Sequence, residues 1–208
     1  MKTILVHGLG QNSKDWDIVK NKLEARGISA AAPDLFSLAK GRELSYTALY
    51  QAFSEVCGSC EERLNLCGLS LGGLLALNYA IQHTEKVNSL VLIGTPFQIP
   101  KGVLKFQNVV FGFVPKTAFR SMGVSKKDFI RLSKSMVNLE FMETAKDIDC
   151  PALVLCGAKD KVNMKSAKRY HEAMKNSRLV IVENSGHEVN KDNPDELVRA
   201  LREFWTEN

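Results

Sequence analysis

What the chain does not contain narrows its class first. No apolar run approaches the ~18 consecutive residues that a membrane-spanning helix needs. The opening Met1-Lys2-Thr3-Ile4-Leu5-Val6-His7-Gly8 is too short in apolar residues for a signal peptide and has no small-residue cleavage site. Cysteines number five, an odd and scattered set. Without a secretion signal they fit free thiols in a reducing compartment, so a cytoplasmic location is expected. No Gly-x-Gly-x-x-Gly or phosphate-loop string occurs, so a nucleotide cofactor is not expected. The net charge of +5 is joined to no nucleic-acid fold signature, so nucleic acid is not an expected partner. Internal repeats and low-complexity tracts are lacking.

What is present is ordinary for a globular chain: 208 residues, 45% hydrophobic and 25% charged, enough for one compact domain. The charge is unevenly spread. Pro96 to Lys146 holds nine Lys/Arg against three Asp/Glu, so the other 157 residues carry a net −1. The same window holds seven of the ten Phe: Phe97, Phe106, Phe111, Phe113, Phe119, Phe129 and Phe141. It reads as a distinct structural unit, an insertion at about 96–146.

Outside that insert, strand and helix patterns alternate. Short apolar runs at Ile4–Val6, Ile28–Ala32, Leu64–Cys67, Val87–Ile93, Cys150–Gly157 and Leu179–Val182 predict six strands. Between them, spacings of three and four predict helices. One runs over 14–26, capped by Ser13, with Trp16, Val19 and Leu23 on its apolar side. Others run over 45–57, from Ser70 to about Ile81, over 163–175, and from Asn193-Pro194 to Trp205. Buried strands alternating with amphipathic helices imply an α/β fold, a mostly parallel sheet covered on both faces.

Gly68-Leu69-Ser70-Leu71-Gly72-Gly73 lies between a predicted strand and a predicted helix. A serine on so sharp a turn needs small residues two before and two after, because neighbouring chain comes close. Its hydroxyl then stands at the C-terminal edge of the sheet, beside the N–H groups that open the helix. A serine hydroxyl is barely ionised near neutral pH and needs a base. Of four histidines, His83 ends a helix and suits a surface, His171 suits a solvated helix face, and His7 suits the hydrogen-bonding of a turn. His187, in Asn184-Ser185-Gly186-His187-Glu188, follows the sixth strand at the same edge as Ser70. A carboxylate must hold that histidine. Asp160 follows the fifth strand directly, whereas Asp147 and Asp149 precede it, at the wrong edge. Asp34, after the second strand, stays open as a rival. Cys57-Gly58-Ser59-Cys60 has the redox or metal spacing but neither context, so no metal site is expected.

With His7-Gly8-Leu9-Gly10 after the first strand, the serine elbow, the aspartate loop and the Ser-Gly-His loop, the chain resembles an α/β-hydrolase-fold protein of the small single-domain esterase type. The resemblance implies a three-layer α/β/α sandwich with a short helical cap, one domain over 1–208. By position it implies a Ser70, Asp160, His187 triad, and backbone N–H groups of Leu9 and Leu71 as the oxyanion hole, with Gly10 a less favoured donor. Trp16 matches the family's common aromatic at the first helix. The family's two antiparallel strands ahead of the His-Gly strand have no counterpart, so about six strands are expected, with Met1–Val6 in the interior or near one edge and a surface there open to partners. Ser rather than Asp at the elbow argues against epoxide-hydrolase and dehalogenase chemistry.

These readings converge on a serine hydrolase of a carboxylic ester or thioester, with no cofactor. Two alternatives stand beside it: a triad enzyme performing proton abstraction or carbon–carbon cleavage, and a ligand sensor that keeps triad and pocket. In the insert, Val103, Phe106, Val110 and Phe113 predict one amphipathic helix and Phe129, Leu132 and Met136 a second. Their Phe face would roof an acyl pocket above Ser70, or cover a small core of its own. Their Lys/Arg face would attract an anionic carrier or membrane surface.

Overall fold

The computed structural model describes residues 1–98, 119, 123–137 and 139–207. Six strands form one sheet: β1 Lys2–Val6, β2 Ala30–Ala31, β3 Leu64–Leu69, β4 Val87–Ile93, β5 Ala152–Gly157 and β6 Ser177–Val182. All neighbours are parallel, in the order β2-β1-β3-β4-β5-β6. β1 thus lies one strand in from an edge. The edge strand β2 has two residues, shorter than the Ile28–Ala32 run suggests, and an edge that short offers little template for another chain.

Strand periodicity of two sorts the core into two faces. Leu5, Cys67, Leu69, Val91, Ile93, Leu153 and Leu155 pack on one side with α1 (Asp17–Glu24), α8 (Val189–Asp192) and α9 (Pro194–Glu207), through Val19, Leu23, Val189, Leu197, Leu201 and Phe204. Ile4, Val6, Leu66, Leu90, Leu92 and Val154 pack on the other side. There they meet α2 (Leu35–Leu38), α3 (Tyr46–Gly58), α4 (Leu71–Gln82) and α7 (Met164–Ala173). The result is a three-layer α/β/α sandwich in which each fully buried Leu contributes on the order of 2 kcal/mol.

Local caps explain where sequence and structure differ. Asn12, not Ser13, caps the first helical stretch: its side chain accepts from the Lys14 N–H, and Asp15 accepts from the Asn12 N–H. That capping box closes a 3₁₀ turn over Ser13–Trp16 before α1, so the α-helix is shorter than the 14–26 pattern. Ser45 and Ser125 cap α3 and α5 (Lys126–Ser135), and α6 is Met142–Ala145. The Phe129, Leu132 and Met136 stripe is buried as expected, but in the same cluster as Tyr46 and Leu74, so it faces the main body. The Val103–Phe113 stripe lies outside the described residues.

Chain order places the crevice. β1 connects outward to β2, whereas β3 connects to β4 on the other side. The loops leaving β1 and β3 diverge, and such a switch point opens at the strands' C-terminal ends.

Candidate active site

The loop after β1 carries His7-Gly8-Leu9, and β3 runs directly into Ser70 and α4. Ser70 has φ 53° and ψ −111°, a conformation that side chains rarely adopt and that persists only where surroundings enforce it. The enforcement is close packing. A Cβ on Gly68 would overlap the Gly72 backbone, one on Gly72 the Val6 carbonyl, and one on Gly73 the Thr95 hydroxyl. The Ser70 N–H donates to the Ile93 carbonyl at 2.8 Å, tying the elbow to the end of β4. Ser70 and the N–H groups opening α4 therefore share one corner.

The β1 loop lies against that corner. A Cβ on Gly8 would come within 3.5 Å of the Ser70 Cβ. His7 is fully buried, as a turn-orienting residue should be. Its Nε2 accepts from the Leu35 N–H at 3.0 Å, so the proton sits on Nδ1, which donates to the Gly8 carbonyl at 3.0 Å. Burial pushes the His7 pKa down, against a smaller upward pull from the Gly8 hydrogen bond and nearby carboxylates. Among the described residues, the N–H groups of Leu9 and Leu71 donate to no protein acceptor.

Asp160 and His187 meet. His187 Nδ1 donates to Asp160 Oδ2 at 2.7 Å, with the Asp160 side chain 4% exposed and that of His187 40% exposed. The carboxylate is buried behind the imidazole, and the imidazole faces outward. A Cβ on Gly94, the residue after Ile93, would lie 3.0 Å from His187 Nδ1. The pair thus abuts the same strand end that accepts from Ser70. Burial raises the Asp160 pKa, but hydrogen bonds from His187 and Asn163 outweigh it and hold the carboxyl below its ordinary value. The His187 loop is pinned from behind: Gly186 N–H donates to Asp192 at 2.7 Å and Asn193 Nδ2 to the Glu183 carbonyl at 3.2 Å.

Two features were not foreseen. Asn163 donates from Nδ2 to both Asp160 oxygens, at 3.0 and 2.9 Å, and from its backbone N–H at 3.2 Å. Its place three residues after Asp160 was the available signal. Asp34, the rival acid, instead caps α2 through the Ser37 N–H. Of the other histidines, His171 is half-buried on Ser177 Oγ at 2.9 Å rather than solvated, and His83 packs on Tyr79. Cys57 is buried, which pushes its thiol pKa up and disfavours the thiolate that redox or metal chemistry uses.

A family model described as the alpha/beta hydrolase family matches residues 3–200. An uncharacterised Mycobacterium tuberculosis protein is 32% identical over 136 residues, covering 62% of this chain and 36% of its own length; this chain thus spans about a third of that relative. A pimeloyl-[acyl-carrier protein] methyl ester esterase of Neisseria meningitidis is 23% identical over 242 residues, covering 98% of this chain and 93% of the relative. Among solved structures, an enol-lactonase from Burkholderia xenovorans superposes with TM-score 0.84 at 17% identity, covering 99% and 91% of the two chains. An esterase from Thermogutta terrifontis gives TM-score 0.82 at 17% identity, covering 100% and 90%. At that identity the structural likeness concerns the fold.

Proposed function

The chain belongs to the alpha/beta hydrolase family, and from that premise we propose that it is a serine hydrolase of carboxylic esters or thioesters. The observation that carries the reading is the Asp160–His187 hydrogen bond at the strand end that also anchors the strained Ser70 elbow. Ser70 Oγ attacks the acyl carbonyl while His187 Nε2, left with a free lone pair, takes its proton. Asp160 keeps the imidazole proton on Nδ1 and stabilises the imidazolium. The Leu9 and Leu71 N–H groups receive the oxyanion. Collapse expels alcohol or thiol, protonated by His187. Water, deprotonated by the same imidazole, then releases the acid and restores Ser70. These steps draw on the chain's own groups and need no cofactor.

In this reading residues 1–208 form one α/β-hydrolase domain, with about 96–146 as its cap. The relatives named as methyl ester esterases support an ester substrate. The basic stripe of Lys126, Lys127, Arg131 and Lys134 along one face of α5 supports an anionic carrier or membrane surface as the partner that presents the acyl group. No helix among the described residues is long and apolar enough to cross a membrane. The deciding experiment is turnover of p-nitrophenyl acetate and butyrate by wild type and Ser70→Ala. Ser70-dependent multiple turnover supports the hydrolase. Equal rates overturn it, and stoichiometric labelling without turnover supports a sensor.

A further inference from the structure

We propose that Gln11 is a positioning residue that locks the oxyanion loop to the histidine loop, so that the Leu9 N–H and His187 hold one fixed relation; this rests on the serine-hydrolase reading above. The argument begins with one peptide plane. Among the described residues no peptide bond is cis, so the Leu9 N–H points away from the Gly8 carbonyl of the same plane. Whatever holds the Gly8 oxygen therefore aims the Leu9 N–H. Two donors hold it: His7 Nδ1 at 3.0 Å and the Gln11 backbone N–H at 3.2 Å.

The Gln11 side chain reaches the other way, across about 180 residues of sequence. Its Nε2 donates to Glu188 Oε1 at 2.9 Å and to Asn190 Oδ1 at 3.2 Å. Its Oε1 accepts from Asn190 Nδ2 at 3.4 Å and from the Gly8 N–H at 3.5 Å. Asn190 Nδ2 donates further to the Asp15 carbonyl at 3.0 Å. Glu188 is the residue after His187. Gln11 is 2% exposed and Asn190 1%, so neither amide has water to fall back on, and the pair is strongly held to its partners. One residue thus sets the oxyanion peptide with its backbone and the base-bearing loop with its side chain. An acyl-transfer site needs both donors and base aligned on one carbonyl, and misplacement by about 1 Å costs on the order of 10²-fold in rate.

The test uses the full chain and p-nitrophenyl butyrate. Gln11→Met removes the amide at similar volume, Asn190→Ala removes its partner, and the double variant carries both. The expected result is a kcat loss on the order of 10²-fold for each single variant with KM within about twofold. The double variant should be no worse than the poorer single, because the two side chains act as one unit. Amide hydrogen exchange should rise together in residues 8–11 and 187–190 of either single variant while β3 stays protected. Additive losses, a KM rise at unchanged kcat, or faster exchange confined to the substituted loop would overturn the clamp. Wild type as inert as Ser70→Ala toward the ester overturns the serine reading instead, and the exchange readout, which needs no turnover, still decides the clamp.

Discussion

The corner around Ser70 and the segment between β4 and β5 are both dense with functional residue types, yet they are held by opposite means. At the Ser70 corner, buried hydrogen bonds and backbone contacts fix each group: the elbow through Ile93, Asp160 through Asn163, and His7 between Leu35 and Gly8. In the segment, the described part is held by apolar packing of Phe129, Leu132 and Met136 and edged by exposed ion pairs such as Arg131–Glu43 at 3.1 Å. Fixed polar geometry serves chemistry, because it sets distances and protonation states. Apolar packing serves stability, because it is nondirectional and scales with area. The two regions should therefore fail differently when altered.

The largest effect should come from Ser70. Ser70→Ala should abolish ester turnover, a loss of about 10⁴-fold or more, with Tm near that of wild type. Ser70→Gly sharpens the contrast, since it also relieves the φ 53° strain and should raise stability by about 1 kcal/mol in a denaturant titration. Residual turnover in either variant near the wild-type rate would break the assignment. Asp160→Asn should follow at roughly 10⁴-fold in kcat, because the amide cannot stabilise the imidazolium. Asn163→Ala should cost less, with the acid limb of the pH–rate profile moving upward as Asp160 loses a stabilising donor.

Leu132→Ala tests the other region. Leu132 is fully buried, and the cavity should cost about 3 kcal/mol of stability while leaving kcat per folded molecule close to wild type. A kcat loss comparable with that of Asn163→Ala would erase the distinction drawn above. His7 gives a pH test of the corner. Its folded pKa lies below its unfolded value of about 6.5, so between the two the unfolded chain binds more protons. Stability then falls as pH drops below about 6.5 and is flat above it with respect to this group. Tm measured from pH 8 to pH 5 should show that slope, and His7→Gln should lessen it. The smallest effect belongs to the ion pairs: Arg131→Gln should shift stability by under ~0.5 kcal/mol, because its partner is mostly exposed. Any influence of that charge on anionic esters should fade as salt passes roughly 0.15 M.

Much of this was legible in the chain. The six apolar runs, the elbow glycines and the small-residue loop before His187 are local patterns, and each names an element or a turn by its own spacing. Asp160 could be chosen over Asp147 and Asp149 because strand direction assigns each to an edge. The Asn12 cap was missed because Asn12 and Ser13 are adjacent and both suit a helix start; the Asp15 partner three residues on distinguishes them. The short β2 was missed because Ile28 and Ala32 share its apolar character while only Ala30 and Ala31 pair with β1.

The sequence by itself determined the parallel sheet, the order of its elements and the residue types brought to the C-terminal edge, because periodicity and turn chemistry act over a few residues. Tertiary structure alone decided that Asp160 and not Asp34 meets His187, that the α5 stripe joins the main core, and that Gln11 meets Asn190. Those contacts depend on which side chains meet once the layers close, and for the buried polar groups desolvation then makes each partner obligatory. A contact made across nearly the whole chain leaves no trace in local spacing.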